Sequence, residues 1–235
     1  MQLDEACLYE MPFEFVRAHV KPVRDLSRDP ALKQRWRLLK RPVPGLRKAL
    51  TGLDRCIVTP EVSKHRILVW ASTQVRADHT CHVIAREDDY FFGVLHSLVH
   101  ETWSLRTGST LEDRPRYNSD QLFSTFPFPW PPGTEPSEAE DPGFEKVKAI
   151  ADAARELVRL RDAWLNPPDT PQEDLKKRTL TNLYNARPDW LANAHRALDE
   201  AVFAAYGWPS SLTTLQILSN LLALNHQRAA AQPTK

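Results

Sequence analysis

The sequence predicts an α+β chain in which a mixed α/β part precedes a small antiparallel helical bundle. Three observations predict it. Short β-branched runs with turn-like flanks occur in the first half, at 56–59, 66–70 and 82–85. A stretch of prolines and then acids, 126–143, interrupts the chain. After it the apolar residues keep a helical period. The expected organisation is 1–132 as one domain, 133–143 as a proline-rich, acidic linker, and 144–235 as a helical domain.

Taken in order, 16–39 reads as helix interrupted at Pro22 and Pro30, because proline lacks the amide donor and clashes with the preceding turn. Residues 46–53 form a short further helix, and the three β-branched runs form strands. Asp89 is placed to cap a helix that carries Phe92, Leu95, Val99 and Trp103 on one face and stops at Gly108. The run from Phe126 through Pro127, Phe128, Pro129, Trp130, Pro131 and Pro132 to Gly133 excludes helix. Asp141 and Pro142 pair a capping acid with a proline suited to the first helical position. The helix they open carries Val147, Ile150, Ala154, Leu157, Val158, Arg161 and Trp164. Thr170, Pro171, Gln172 and Glu173 have the form of a capping box. A third helix, with Leu191, Ala194, Leu198, Ala201, Val202 and Ala205, ends at Gly207 with Pro209 beyond it. Leu215, Leu218, Leu221 and Leu222 mark a fourth. Nothing repeats at a solenoid period.

With 235 residues the chain can bury a self-sufficient core, and 42% hydrophobic against 26% charged residues fits a soluble globular protein. No apolar run is long enough to cross a bilayer, so no membrane partner is expected. The first ten residues carry acids instead of a basic region and an apolar stretch, so they are not expected to be a signal peptide. Cys7, Cys56 and Cys81 are widely spaced and odd in number, which fits free thiols in a reducing cytoplasm. The net charge of +1 hides an asymmetry. Residues 17–66 hold fourteen Lys or Arg against four acids, a balance of +10, while 131–235 holds twelve against fourteen, or −2. Clustered positive charge suits a phosphate-facing surface, and equally a solvated helix face.

Four motifs bear on chemistry. Asn166, Pro167, Pro168 and Asp169 imitate the catalytic loop of adenine methyltransferases, in which an aromatic fourth residue stacks on the flipped base. Asp169 cannot stack, and the motif follows a helix end, so it reads as a helix–helix connection. The seven glycines contain no Gly-x-Gly, which removes the usual turn for S-adenosylmethionine and also a P-loop. His96 and His100 lie one turn apart and could share a metal, but the sequence lacks His-Glu-x-x-His and a third ligand. Packing or phosphate contact is the better reading, and no metal is expected. Residues 110–117 form a loop dense in base-reading chemistry, since arginine pairs with guanine and glutamate accepts from the cytosine amino group.

The order of several motifs closely resembles the target-recognition domain of MmeI-like adenine-specific DNA methyltransferases, the single-chain restriction–modification type. They are Arg41-Pro42, Leu46-Arg47-Lys48-Ala49-Leu50, Val62-Ser63-Lys64-His65-Arg66, Tyr90-Phe91-Phe92-Gly93-Val94-Leu95-His96-Ser97, Arg116-Tyr117 and Phe123-Ser124-Thr125-Phe126-Pro127-Phe128-Pro129. Trp164-Leu165-Asn166-Pro167-Pro168, Leu180-Thr181-Asn182-Leu183-Tyr184-Asn185 and the run from Leu198 to Trp208 resemble the helical domain that follows in those proteins. The resemblance implies that this chain binds double-stranded DNA and selects its sequence, while a catalytic domain in cis or in trans binds S-adenosylmethionine and methylates adenine. The chain itself is then expected to have no catalytic residue and no cofactor, as a gene fragment, a split-gene product or an expressed piece. Glu112, Arg114 and Arg116 take the place of the family's base readers. Lys64, His65 and Arg66 are the expected phosphate contacts, with Arg47 and Lys48 behind them. Two rivals stand beside this reading: a helical protein-interaction module without DNA, and a metal-dependent hydrolase built on His96 and His100.

Overall fold

The structure, a computed structural model, describes residues 3–38, 43–111 and 114–231. It is an α+β fold whose contacts divide it into two compact units, Met1–Thr51 and Gly52–Lys235. Prolines punctuate the first unit as expected. Helix α1 (Leu3–Cys7) is followed by α2 (Glu10–His19), α3 (Lys21–Asp25) and α4 (Pro30–Gln34), then α5 (Pro44–Ala49). Pro22, Pro30 and Pro44 sit in the first turns of α3, α4 and α5, where a missing amide costs nothing. Asp29 caps α4, its carboxylate accepting from the Ala31 amide at 2.9 Å. Leu39 and the Arg41-Pro42 pair lie outside the described residues.

The second unit opens with a three-stranded antiparallel sheet in the order β2-β1-β3, formed by β1 (Arg55–Pro60), β2 (Val69–Ser72) and β3 (Cys81–Ile84). Ile57 pairs with Trp70 on one side and Ile84 on the other. The second strand starts later than the apolar run suggests, because side chains claim the backbone before it. The Thr59 hydroxyl donates to the Ile67 carbonyl, His96 accepts from the Leu68 amide, and Arg161 donates to the Leu68 carbonyl. The Leu68 amide, its one donor given to His96, is then not available to a ladder.

The helix expected after the sheet is two helices, α6 (Asp89–Leu95) and α7 (Leu98–Thr107). Its cap is Asp88, accepting from the Phe91 amide at 2.8 Å; Asp89 instead holds Arg55 and Arg155. At the break Ser97 is extended and its hydroxyl turns back to Val94. The first amide of α7, Leu98, is taken by the Asp199 carboxylate at 2.7 Å from across the fold. Gly108 caps the C-terminus of α7. Strands β4 (Ser109–Leu111) and β5 (Arg114–Arg116) then form a hairpin where the sequence suggests a loop. A π-helical segment, Ser119–Phe123, follows.

The chain does not divide at the proline-rich stretch. Phe126 and Phe128 are buried, and Phe128 stacks on Phe91 with centroids 4.6 Å apart. The last helices fasten the same strap: Tyr206 donates to the Pro127 carbonyl, and Arg228 to those of Phe128 and Pro129. Even in the acidic part Glu135 pairs with Arg86. A proline run denies itself backbone partners, and here side chains from α11 and α12 supply them.

The remaining helices are α8 (Phe144–Leu165), α9 (Gln172–Leu175), α10 (Leu180–Ala186), α11 (Asp189–Tyr206) and α12 (Thr214–Ala231). Gly143, not Asp141, occupies the N-cap of α8, and Asp141 accepts from the Ser137 and Glu138 amides. The capping box is not made: Pro171 precedes α9 without a side-chain cap, and the Thr170 hydroxyl donates to the Pro168 carbonyl. Gly207 ends α11 at φ 72°, with the Trp208 amide bonded to the Phe203 carbonyl, a Schellman arrangement that suits glycine. One apolar core joins Ile57 and Leu68, the α6–α7 face, the strap, and Ile150, Leu157, Leu198 and Leu221 of the later helices. Among the described residues no helix is long and apolar enough to cross a membrane.

Candidate functional site

The hairpin and the turn after β1 are one construction. The Tyr117 amide donates to the Glu61 carbonyl at 2.7 Å, and Val62 bridges Arg116. Arg66 rivets them. It donates to the Thr59 hydroxyl and to the carbonyls of Pro60 and Pro115, with its guanidinium 5.0 Å from the Tyr117 ring centre. Arg66 is buried, so it does not serve as the surface phosphate ligand that the sequence suggests. Burial lowers its pKa, opposed by Tyr117 and Glu101.

Arg114 and Arg116 are exposed and lie two residues apart on β5, hence on one face of the hairpin. Arg116 is also fastened at home, its Nε donating to the Glu61 carboxylate at 2.6 Å. Glu112 lies outside the described residues. Lys64 is exposed and His65 partly so, and both point to Asn185 at the end of α10. The Asn185 Oδ1 accepts from Lys64 Nζ at 2.8 Å and meets His65 Nε2 at 2.9 Å. Arg47 and Lys48 are exposed in the last turn of α5, in the other unit.

The charge divides as the contacts do. Residues 1–51 hold eleven Lys or Arg against six acids, or +5; residues 52–235 hold twenty against twenty-four, or −4. Of the fourteen cations in 17–66, only Arg55, Lys64 and Arg66 belong to the second unit.

His96 and His100 are core groups. The His100 Nδ1 donates to the Leu95 carbonyl at 2.7 Å, which leaves Nε2 to accept from the Tyr117 hydroxyl at 3.2 Å. The His96 Nδ1 accepts from the Leu68 amide, and its Nε2 lies 3.0 Å from the Tyr184 hydroxyl and 3.2 Å from Arg161 Nη1. The Tyr184 hydroxyl is also 3.0 Å from His195 Nε2. Desolvation, helped by Arg161, pushes His96 well below the ordinary histidine range and His195 to about 4; desolvation also takes His100 to about 4. Both nitrogens of each of the first two rings are engaged, and the described residues contain no cluster of three metal-binding side chains.

This network forms the floor of a cavity of about 160 Å³, walled by Leu95 and Leu191 and by His65, Glu101, Arg187 and Asp199. Burial raises Asp199 to about 7, against the Leu98 amide and with help from Glu101. Burial also raises Glu101, opposed by Arg187, His65 and Arg66. The Arg187 side chain is exposed and makes no hydrogen bond or ion pair among the described residues, while its amide donates to the Leu183 carbonyl at 2.8 Å from a left-handed backbone at φ 41°. Sequence reasoning missed Asn185, Arg187, His195 and Asp199: Asn185 and Asp199 act on residues 121 and 101 positions away, and no local pattern marks Arg187 or His195.

No family model and no curated protein matches this sequence. A solved structure does, that of the type IIL restriction–modification enzyme MmeI in complex with DNA. The two share 22% identity at a TM-score of 0.69, over 95% of this chain and 27% of the MmeI chain. This chain is thus similar in fold to a part of that enzyme, and it spans about a quarter of the enzyme's length.

Proposed function

We propose that this chain binds double-stranded DNA and selects its sequence for a restriction–modification enzyme that methylates adenine from S-adenosylmethionine, with catalysis on a domain outside residues 1–235. The fold likeness to MmeI across 95% of the chain carries the reading. Exposed Lys64 and Arg114 in the second unit, and the +5 first unit with Arg47 and Lys48, supply phosphate-facing charge. The absence of Gly-x-Gly in the sequence and the presence of Asp169 support assigning the cofactor and the chemistry to other residues. Base reading is assigned to Glu112, Arg114 and Arg116, the last released from Glu61 on binding.

A DNA titration at several salt concentrations tests this. Affinity should lie near the non-specific range, roughly 10⁻⁴ to 10⁻⁶ M at physiological salt, and fall steeply as salt rises. Lys64→Ala should weaken every duplex alike and reduce the salt slope by about one unit. In the reassembled enzyme, changes at Arg114 and Arg116 should alter which sequence is methylated, each good bidentate contact being worth about 1–3 kcal/mol of discrimination. Absence of binding at low salt would overturn the proposal.

A further inference from the structure

We infer that the cavity floored by Tyr184 and His195 is a pocket for one unpaired amino-pyrimidine base of a nucleic acid, a cytosine in its simplest form. The inference rests on the DNA-binding reading and assigns a ligand that this reading does not require. The volume, about 160 Å³, is close to that of an engineered cavity that accepts a single six-membered aromatic ring. Leu95 and Leu191 give the cavity apolar wall, and the polar groups converge from α7, α10 and α11.

The Tyr184 hydroxyl lies 3.0 Å from both His96 Nε2 and His195 Nε2, and the His195 Nδ1 has no protein partner among the described residues. Asp199 is half-buried and accepts one backbone amide, from Leu98. Glu101 is a second acceptor. The pocket therefore brings two carboxyl groups, Asp199 and Glu101, beside the Arg187 guanidinium and the His195 ring. A cytosine edge is the complement: its amino group donates to a carboxylate, and its ring nitrogen and carbonyl accept. A phosphate inside the pocket would instead meet two carboxylates. Exposed Lys64, beside His65 of the pocket lining, is a cation available to a flanking phosphate of an extruded base.

The test measures binding of the full chain to three labelled duplexes: fully paired, with one bulged cytosine, and with one bulged thymine. The bulged cytosine should bind about tenfold tighter than the paired duplex, and the bulged thymine should show no such excess. Asp199→Asn keeps an acceptor for the Leu98 amide but adds a donor, so the ratio of bulged cytosine to paired duplex should fall to near one. A melting profile checks that this variant is folded. In parallel, cytidine, thymidine and inorganic phosphate are titrated against the His195 ring signals by NMR, and only cytidine should shift them. No excess for cytosine, an equal excess for thymine, or a phosphate shift matching that of cytidine would each overturn the pocket while leaving duplex binding intact. If no duplex binds, the functional proposal fails instead, and the cytidine titration decides the pocket alone.

Discussion

The two units solve the folding problem differently. In the second, apolar side chains from the sheet, the strap and six helices are buried together. In the first, Ala6 is the only buried hydrophobic among the described residues, and Leu8, Met11 and Leu26 are at least 80% exposed. Unit 1 is under a quarter of the chain yet, among the described residues, holds eight of the thirteen large hydrophobics that lie exposed. Its helices run five to ten residues, too short to persist in water by propensity alone. The contrast teaches where stability resides: unit 2 carries its own, while unit 1 has little that a mutation could remove.

The largest test of that contrast is acid. In unit 2 the native pKa values of His96, His100 and His195 are depressed by burial, so each stabilising contribution is complete above about pH 6.5 and is lost as pH falls toward 4. Asp199 works in the opposite sense. Its raised pKa, about 7, favours the fold increasingly as pH drops from 7 toward 3.8. Three histidine protons taken up by the unfolded chain outweigh those that the native chain gains at Asp199 and Glu101, a net loss of about 1–3 kcal/mol per pH unit near pH 5. Urea melts followed by tryptophan fluorescence should show unit 2 unfolding in mild acid. Constant stability from pH 7 to 4.5 would break the argument.

A smaller effect comes from the closest approach in the core. A Cβ on Gly93 would stand 2.7 Å from Ile150 Cγ2 and 3.1 Å from Ala154 Cβ. Ala154 is bound to the backbone of α8 and cannot rotate away, so Gly93→Ala forces α6 and α8 apart. Overpacking of this kind costs about 1–3 kcal/mol. A loss below about 0.5 kcal/mol in a denaturant titration would show that the core is less tightly packed than its geometry.

Much of this fold can be read from local pattern. Prolines mark the first turns of α3 and α4, Gly108 and Gly207 mark helix ends, and the apolar period locates α8, α11 and α12. What is not legible depends on partners far away in sequence. The late start of β2 follows from side-chain bonds made by Thr59, His96 and Arg161. The break between α6 and α7 contains no proline or glycine, and its exposed amide is met by Asp199. Phe126 and Phe128 sit in a composition typical of a linker, yet they enter the core because Tyr206 and Arg228 satisfy the strap. Arg66 looks like a surface cation in the sequence and is a buried rivet in the structure. The same limit governs the site: Lys64 and His65 are visible as a basic motif, but Asn185, which orients them, is not.

The smallest expected effect is on α2, and it discriminates most sharply between the units. Met11 and Phe15 are four residues apart and 85% and 64% exposed, with Phe15 touching only the His19 ring among aromatic neighbours. Replacing an exposed apolar side chain by serine forfeits almost no burial, so Met11→Ser and Phe15→Ser should each change stability by no more than about 0.5 kcal/mol. Helix propensity of serine against these residues contributes a few tenths at most. By contrast, Leu157→Ala in the middle of α8 removes a fully buried side chain and should cost about 2–5 kcal/mol in the same denaturant titration. The ratio is the informative quantity, since both measurements share one unfolded reference. Should Phe15→Ser cost more than about 1 kcal/mol, the apolar face of α2 is covered in solution, and unit 1 has a core of its own that its surface does not show.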